Sequence, residues 1–323
     1  DEAYLIHRYE SGRGQVGDVF RAFLHRLAAL ATARRYDLVV IEYELLPYFP
    51  ALPERLLDCL GVPYVVDYDD ALFHQYDQHA KWWVRRLLGR KIARVMRGSR
   101  LVTAGNAYLA DYALRAGAKH VEIIPTVIDL ERYPQPSAAH PPNATFTIGW
   151  IGSPSTAKYL QAVEPALAEV CMGGRGRVRL IGSGPLEVPG VPVEVLPWDE
   201  TTEVSNMQQF DVGIMPLPDQ PWERGKCGFK LIQYMACGLP VVASPVGVNT
   251  EIIEHGANGF LVNTIDEWVQ AIRTLMLDTA LRQRMGQAGR RKVEENYSVQ
   301  VTGPRLAELI KSAIRRGPPP ARL

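Results

Sequence analysis

The feature that most narrows the fold is an alternation, sustained along the chain, of short β-branched runs with longer segments of helical period. In the first part DLVVIE (37–42), PYVVDY (63–68), RLVTAG (100–105) and HVEIIP (120–125) read as strands. A polar, proline-rich stretch, PQPSAAHPPN (134–143), interrupts the pattern and reads as a linker. The alternation then restarts with TFTIGWIG (145–152), RVRLIGSG (177–184), VPVEVL (191–196), FDVGIMPL (210–217), LPVVAS (239–244) and GFLV (259–262). Strands that take turns with helices build parallel sheets covered on both faces, so an α/β protein with two parallel-sheet lobes is predicted. The lobes are expected at 1–140 and 141–297. Helical patterns at 280–296 and 298–315 close the chain, the second with Ser298 as its N-cap and a disordered PPPARL tail beyond it. Open α/β sheets bind ligands beyond the carboxyl ends of their strands, so both lobes should aim those ends at a central cleft.

With 323 residues the chain has enough material for two cores. Its 36 Lys and Arg against 35 Asp and Glu leave a formal net charge of +1, which gives no reason to expect nucleic acid as a partner. Cys59, Cys171, Cys227 and Cys237 lack zinc-type spacing and read as reduced thiols. No apolar run reaches the length of a membrane span, and DEAYLIHRYE lacks a secretory pattern, so a cytoplasmic location is expected. GRGQVG (12–17) matches the dinucleotide fingerprint in letters, but no strand ends at its first glycine, and a loop ahead of a helix beginning at Asp18 is the better reading. Asp67 and Asp69 in VVDYDD (65–70) form a D-x-D able to hold a divalent ion; a strand ending in a polar loop accounts for them more simply, and no metal site is expected.

The stretch WERGKCGFKLIQYMACGLPVVASPVGV (222–248) carries more information. Arg224, Lys226 and Lys230 flank Gly225 and Gly228 just where the helical pattern FKLIQYMAC begins. Helix-start N–H groups, glycines that let a ligand reach the backbone, and nearby cations together suit a phosphodiester.

Residues 228–262, with VEIIPTVIDLERY (121–133), IGWIGSPSTAK (148–158), LIGSGP (180–185) and ENYS (295–298), resemble the retaining family 4 glycosyltransferases of the GT-B fold. The resemblance covers nearly the whole chain. It implies two Rossmann-like lobes facing a cleft, and transfer of a sugar from a nucleotide diphosphate, UDP by frequency, to a hydroxyl acceptor in polysaccharide or glycolipid synthesis. No cofactor is implied beyond the nucleotide-sugar substrate. A last helix after Tyr297 would cross back to the first lobe. Members normally begin with a strand and a glycine-rich loop that have no counterpart ahead of DEAYLIHRYE, so a first βα unit is expected to be missing.

Carried onto this chain, the resemblance puts the donor diphosphate beside Gly152, Ser153 and Lys158, Ser153 standing where the family has an arginine. Lys230, with Arg224 and Lys226 in support, is expected to restore that charge. The family's two glutamates, on donor sugar and ribose, are replaced by Gly225 and Gln233; Gln233 can still bond a ribose, and Glu223 or the amides near Cys227, Gly228 and Phe229 would serve the sugar. Gly182 and Trp198 mark the expected base site. In the first lobe Asp69 and Asp70 occupy the place of the family's His-Asp pair near the anomeric centre, and Asn106 that of an acceptor-side polar residue. Lys158, Lys230, Asp69 and Asp70 are thus the expected catalytic set. Two other readings are a catalytically inactive nucleotide-sugar-binding homologue and a GT-B sugar epimerase.

Finally, KWWVRRLLGRKIARVMRGSR (81–100) has eight basic residues, no acidic one, and apolar residues at 84, 88, 92, 95 and 96. One basic amphipathic helix is expected there, its stripe either in the lobe's core or in peripheral contact with a membrane through 81–100.

Overall fold

The computed structural model describes residues 16–135 and 145–315. Most of GRGQVG, most of the Pro-rich linker and the PPPARL tail lie outside the described residues, as does the segment DEAYLIHRYE. The helix after GRGQVG is observed at Val16–Thr32, beginning before Asp18.

All ten expected strands form. β1 (Val39–Glu42), β2 (Tyr64–Tyr68), β3 (Leu101–Ala104) and β4 (Val121–Ile123) make one sheet in the order β1-β2-β3-β4, parallel throughout. β5 (Phe146–Ile151), β6 (Gly176–Ile181), β7 (Val193–Leu196), β8 (Val212–Met215), β9 (Val241–Ala243) and β10 (Gly259–Leu261) make a second, also parallel, in the order β10-β9-β8-β5-β6-β7. β5, β8 and β9 are buried along their whole length, which is why their sequences read as continuous apolar runs rather than alternating ones. β1, at an edge of its sheet among the described residues, leaves Val40 59% exposed.

The chain divides into two compact units after Ile124 and again after Pro304. The first division falls ahead of the Pro-rich stretch because the segment before that stretch is already committed to the second unit. Ile128 exchanges backbone hydrogen bonds with Tyr297 and Val299, and Tyr133 is buried. The second falls inside the helix Val299–Arg315, at Pro304, where a helix loses one backbone donor. Ser298 stands ahead of this helix, but its hydroxyl donates back to the Glu294 carbonyl instead of capping the helix that follows.

The expected single helix over 81–100 is two helices, Trp82–Leu88 and Lys91–Gly98. Val84, Leu88, Ile92, Val95 and Met96 are all buried in the first unit, so that apolar stripe is core and does not face a membrane. Lys91 is buried too, ion-paired with buried Glu44 and donating to the Leu46 carbonyl at 2.5 Å. Tyr76 donates to the same carboxylate at 2.6 Å. This network fixes the loop after β1, in which Tyr43 and Tyr48 adopt left-handed backbone angles (φ 58° and 57°). Among the described residues no helix is long and apolar enough to cross a membrane.

Candidate functional site

In the second unit the carboxyl ends of β5 and β6 and the start of the helix Phe229–Ala236 bring together residues far apart in sequence. β5 is followed by Gly152, whose N–H donates to the Ile181 carbonyl; β6 is followed by Gly182, whose N–H donates to the Leu196 carbonyl. A Cβ at Gly152 would stand 2.6 Å from the Lys230 amine and 2.7 Å from the Trp150 ring, so only glycine leaves that amine its place. Lys230, in the first turn of the 229–236 helix, lies 4.1 Å over the Trp150 ring and 3.4 Å from the Thr156 hydroxyl. No carboxylate pairs with it among the described residues. Withdrawal from water, and secondarily the charge of Lys226, lowers its amine from 10.5 to about 7.

Gly228 caps that helix with a left-handed backbone (φ 69°), and a Cβ there would meet Ile252 at 2.4 Å. Residue type and position are therefore forced by the turn that aims the helix start. Three expected basic residues prove inequivalent. Arg224 is exposed and bound to Asp219 by two hydrogen bonds, of 2.6 and 3.0 Å, so its charge is engaged away from Lys230. Lys226 acts on Lys230 through charge. Lys158 is exposed, 5.3 Å from the Tyr159 ring, in the turn after the short helix that starts beyond Ser153.

Glu223 is buried and accepts the Tyr159 hydroxyl proton. Gln233, also buried, donates to the Tyr133 hydroxyl at 2.9 Å; Tyr133 donates to Glu203 at 3.2 Å, and the Trp198 indole donates to the other oxygen of Glu203 at 2.8 Å. A polar chain thus runs from the 229–236 helix to Trp198, whose ring is 56% exposed. Cys227 and Gly225 are buried, whereas Phe229 is 42% exposed at the helix start.

This cation-rich turn lies within residues 145–278, which match the family model described as glycosyl transferases group 1, while residues 5–126 match that of a glycosyl transferase 4-like domain. Two glycosyltransferase family models thus match most of the chain between them, one in each unit, and the fold is that of the GT-B glycosyltransferases.

Solved structures agree with this chain in fold. Sucrose-phosphate synthase from Thermosynechococcus elongatus superposes with a TM-score of 0.69 at 18% identity, over 90% of this chain and 77% of that one. Anabaena HepE in complex with UDP-glucose gives 0.68 at 19%, over 89% and 82%. Among curated relatives, sulfoquinovosyl transferase SQD2 of Arabidopsis thaliana is 30% identical over 162 residues, 46% of this chain and 29% of its own length. Spore coat protein SA of Bacillus subtilis is 33% identical over 85 residues, 25% of this chain and 22% of its own. The matched segments thus span less than a third of these relatives.

In the first unit, Asp67, next to last in β2, accepts a hydrogen bond from the Thr103 hydroxyl of neighbouring β3. Asp69 is exposed and Asp70 half-buried in the loop that follows. Asn106, 2% exposed, caps the helix Ala107–Arg115 by accepting from the Leu109 N–H, which explains its residue type without a ligand. Among the described residues no cluster of three or more His, Cys, Asp or Glu is placed to hold a metal. Sequence reasoning missed Trp150, Thr156, Tyr159, Tyr133 and Glu203. It also missed His74, which joins Asp77 at 2.9 Å to the Tyr108 hydroxyl at 2.8 Å beyond the ends of β2 and β3.

Proposed function

We propose that this chain acts in the cytoplasm as a retaining, family 4 glycosyltransferase that moves a sugar from UDP to a hydroxyl acceptor without a metal. The observation that carries the reading is the Lys230 amine, held over Trp150 beside Gly152 at a helix start with no carboxylate paired to it among the described residues. A half-buried cation left without a counter-ion is costly, and a diphosphate would supply the missing charge. The choice of uridine draws on HepE, whose structure was solved with UDP-glucose.

In the proposed reaction the bond from the anomeric carbon to the diphosphate breaks and its electron pair stays on the diphosphate. Lys230, Lys158 and the amides after Gly228 receive that growing negative charge; one such donor is typically worth roughly 10²- to 10³-fold in rate. The acceptor oxygen attacks from the face of departure, and its proton passes to the leaving phosphate. Glu223 and the backbone near Cys227 meet the donor sugar. Gln233 would have to exchange its bond with Tyr133 for the ribose, and Trp198 and Gly182 border the base. Asp69, Asp70 and Asn106 serve the acceptor side.

Calorimetric titration with UDP, GDP and ADP, followed by assay of donor hydrolysis, tests this. Tight UDP binding with turnover that survives EDTA is expected. Tight binding without turnover of any donor would favour an inactive binding homologue, a reading that Gly225 and Ser153 invite. Absence of nucleotide diphosphate binding would refute both.

A further inference from the structure

We propose that the outer face of the Trp82–Leu88 helix docks on an anionic lipid surface. The helix uses Val84 and Leu88, one turn apart, to reach the core. Its opposite face carries Trp82, Trp83 and Leu87, which are 67%, 46% and 62% exposed, around exposed Arg86. Folding of this unit does not account for large apolar side chains on the side turned away from the core. Contiguous exposed apolar surface rimmed by polar groups marks a site of association.

Charge selects the occupant. No Asp or Glu stands between Asp77 and Asp111, while Lys81, Arg86, Arg90, Arg94 and Arg97 are exposed on this helix, the next one and their flanks. The carboxylates nearest in sequence are already engaged, Asp77 with His74 and Asp111 with Arg115. Lys81 lies 5.8 Å over the Trp83 ring, and Arg85 secures the approach by donating to the carbonyls of His79 and Ala80. Tyr48, 53% exposed and edge-on to His79 at 6.2 Å, extends the aromatic surface. Tryptophans settle at headgroup depth while flanking cations meet lipid phosphates, each adding to adsorption on an anionic leaflet. This surface differs from the buried stripe of the same segment.

Co-sedimentation of the full chain with phosphatidylcholine vesicles, alone or with one-third phosphatidylglycerol, tests the proposal. Binding to the mixed vesicles should be about tenfold tighter or more, and weaken with salt. The Trp82→Ser, Trp83→Ser double variant should bind them about tenfold more weakly. Arg86→Gln with Arg90→Gln should remove most of the preference for the anionic lipid. These side chains are exposed, so melting temperatures should hold. Wild-type chain left in the supernatant with mixed vesicles would overturn the proposal, as would a tryptophan double variant that binds like wild type. So would lipid-free dimerisation that the tryptophan changes abolish. Nucleotide affinity is measured apart from lipid, so failure of the donor reading leaves this outcome intact.

Discussion

Replacing Lys230 with Met should raise stability and abolish tight nucleotide binding in the same protein. Methionine keeps the length and the contact with Trp150 while removing the charge. In the folded chain the amine falls from 10.5 to about 7, which at 1.36 kcal/mol per pH unit bounds the cost of the buried charge at about 5 kcal/mol. The half-buried residue keeps some contact with water, so roughly 1–3 kcal/mol is the realistic gain. The sign follows from proton counts: between pH 7 and the unfolded value the unfolded chain binds more protons, so wild-type stability rises with pH across that window. The advantage of Lys230→Met is therefore full at and below pH 7 and fades as pH climbs toward 10.5. Urea unfolding of both proteins at pH 6.5 and 9.5 reads this difference, other titrating groups cancelling between them. Calorimetry should show UDP affinity lowered roughly 10- to 150-fold, the range of a lost hydrogen bond to a charged group. Wild-type affinity should decline above pH 7, because the amine must then take up a proton on binding. A variant destabilised alike at both pH values, or one that binds UDP as well as wild type, would refute the reasoning.

Lys91→Met leaves Glu44 buried without its cation and should cost about 3–5 kcal/mol in chemical unfolding; the double change with Glu44→Gln should recover part of it. Gly228→Ala, placed at a left-handed φ and 2.4 Å from Ile252, should lower stability by about 1–3 kcal/mol and weaken UDP binding in titration. Tyr133→Phe removes the link between Gln233 and Glu203 and should cost about 1–3 kcal/mol, with a shift in tryptophan emission if Trp198 loosens.

What could be read beforehand followed the range of the forces involved. β5, FTIGWI, is buried on both faces, so its apolar continuity alone announced a central parallel strand. The helix start after Gly228 was legible because glycine, cations and apolar period lie side by side. The break near Gly89 was not: Arg85–Gly98 keeps a helical period across it, and a Cβ at Gly89 would stand 2.3 Å from the Arg85 carbonyl oxygen, a contact that only the folded turn reveals. Nor could the partners of the site be read. Tyr133 reaches Gln233 across 100 positions, and Thr156 reaches Lys230 across 74, so no local pattern links them.

The residues that the candidate site lacks and those it has are better understood together than singly. Ser153 stands where the resemblance leads one to expect a cation in the loop after β5, and Gly225 where it leads one to expect a carboxylate in the turn before the 229–236 helix. Arg224 is drawn off by Asp219, and no carboxylate pairs with Lys230 among the described residues. Gly152 allows the Lys230 amine to stand against the β5 loop, where the resemblance would place an arginine. On the proposed donor reading, a cation delivered from the helix replaces one delivered from the loop. The number of positive charges offered to a diphosphate would then be preserved while their attachment to the chain changes, which is what electrostatic stabilisation of a leaving group requires. Restoring arginine at 153 should then tighten UDP in the Lys230→Met background more than in wild type, where two cations would compete for the same oxygen atoms; equal effects in both backgrounds would show that the two positions act independently.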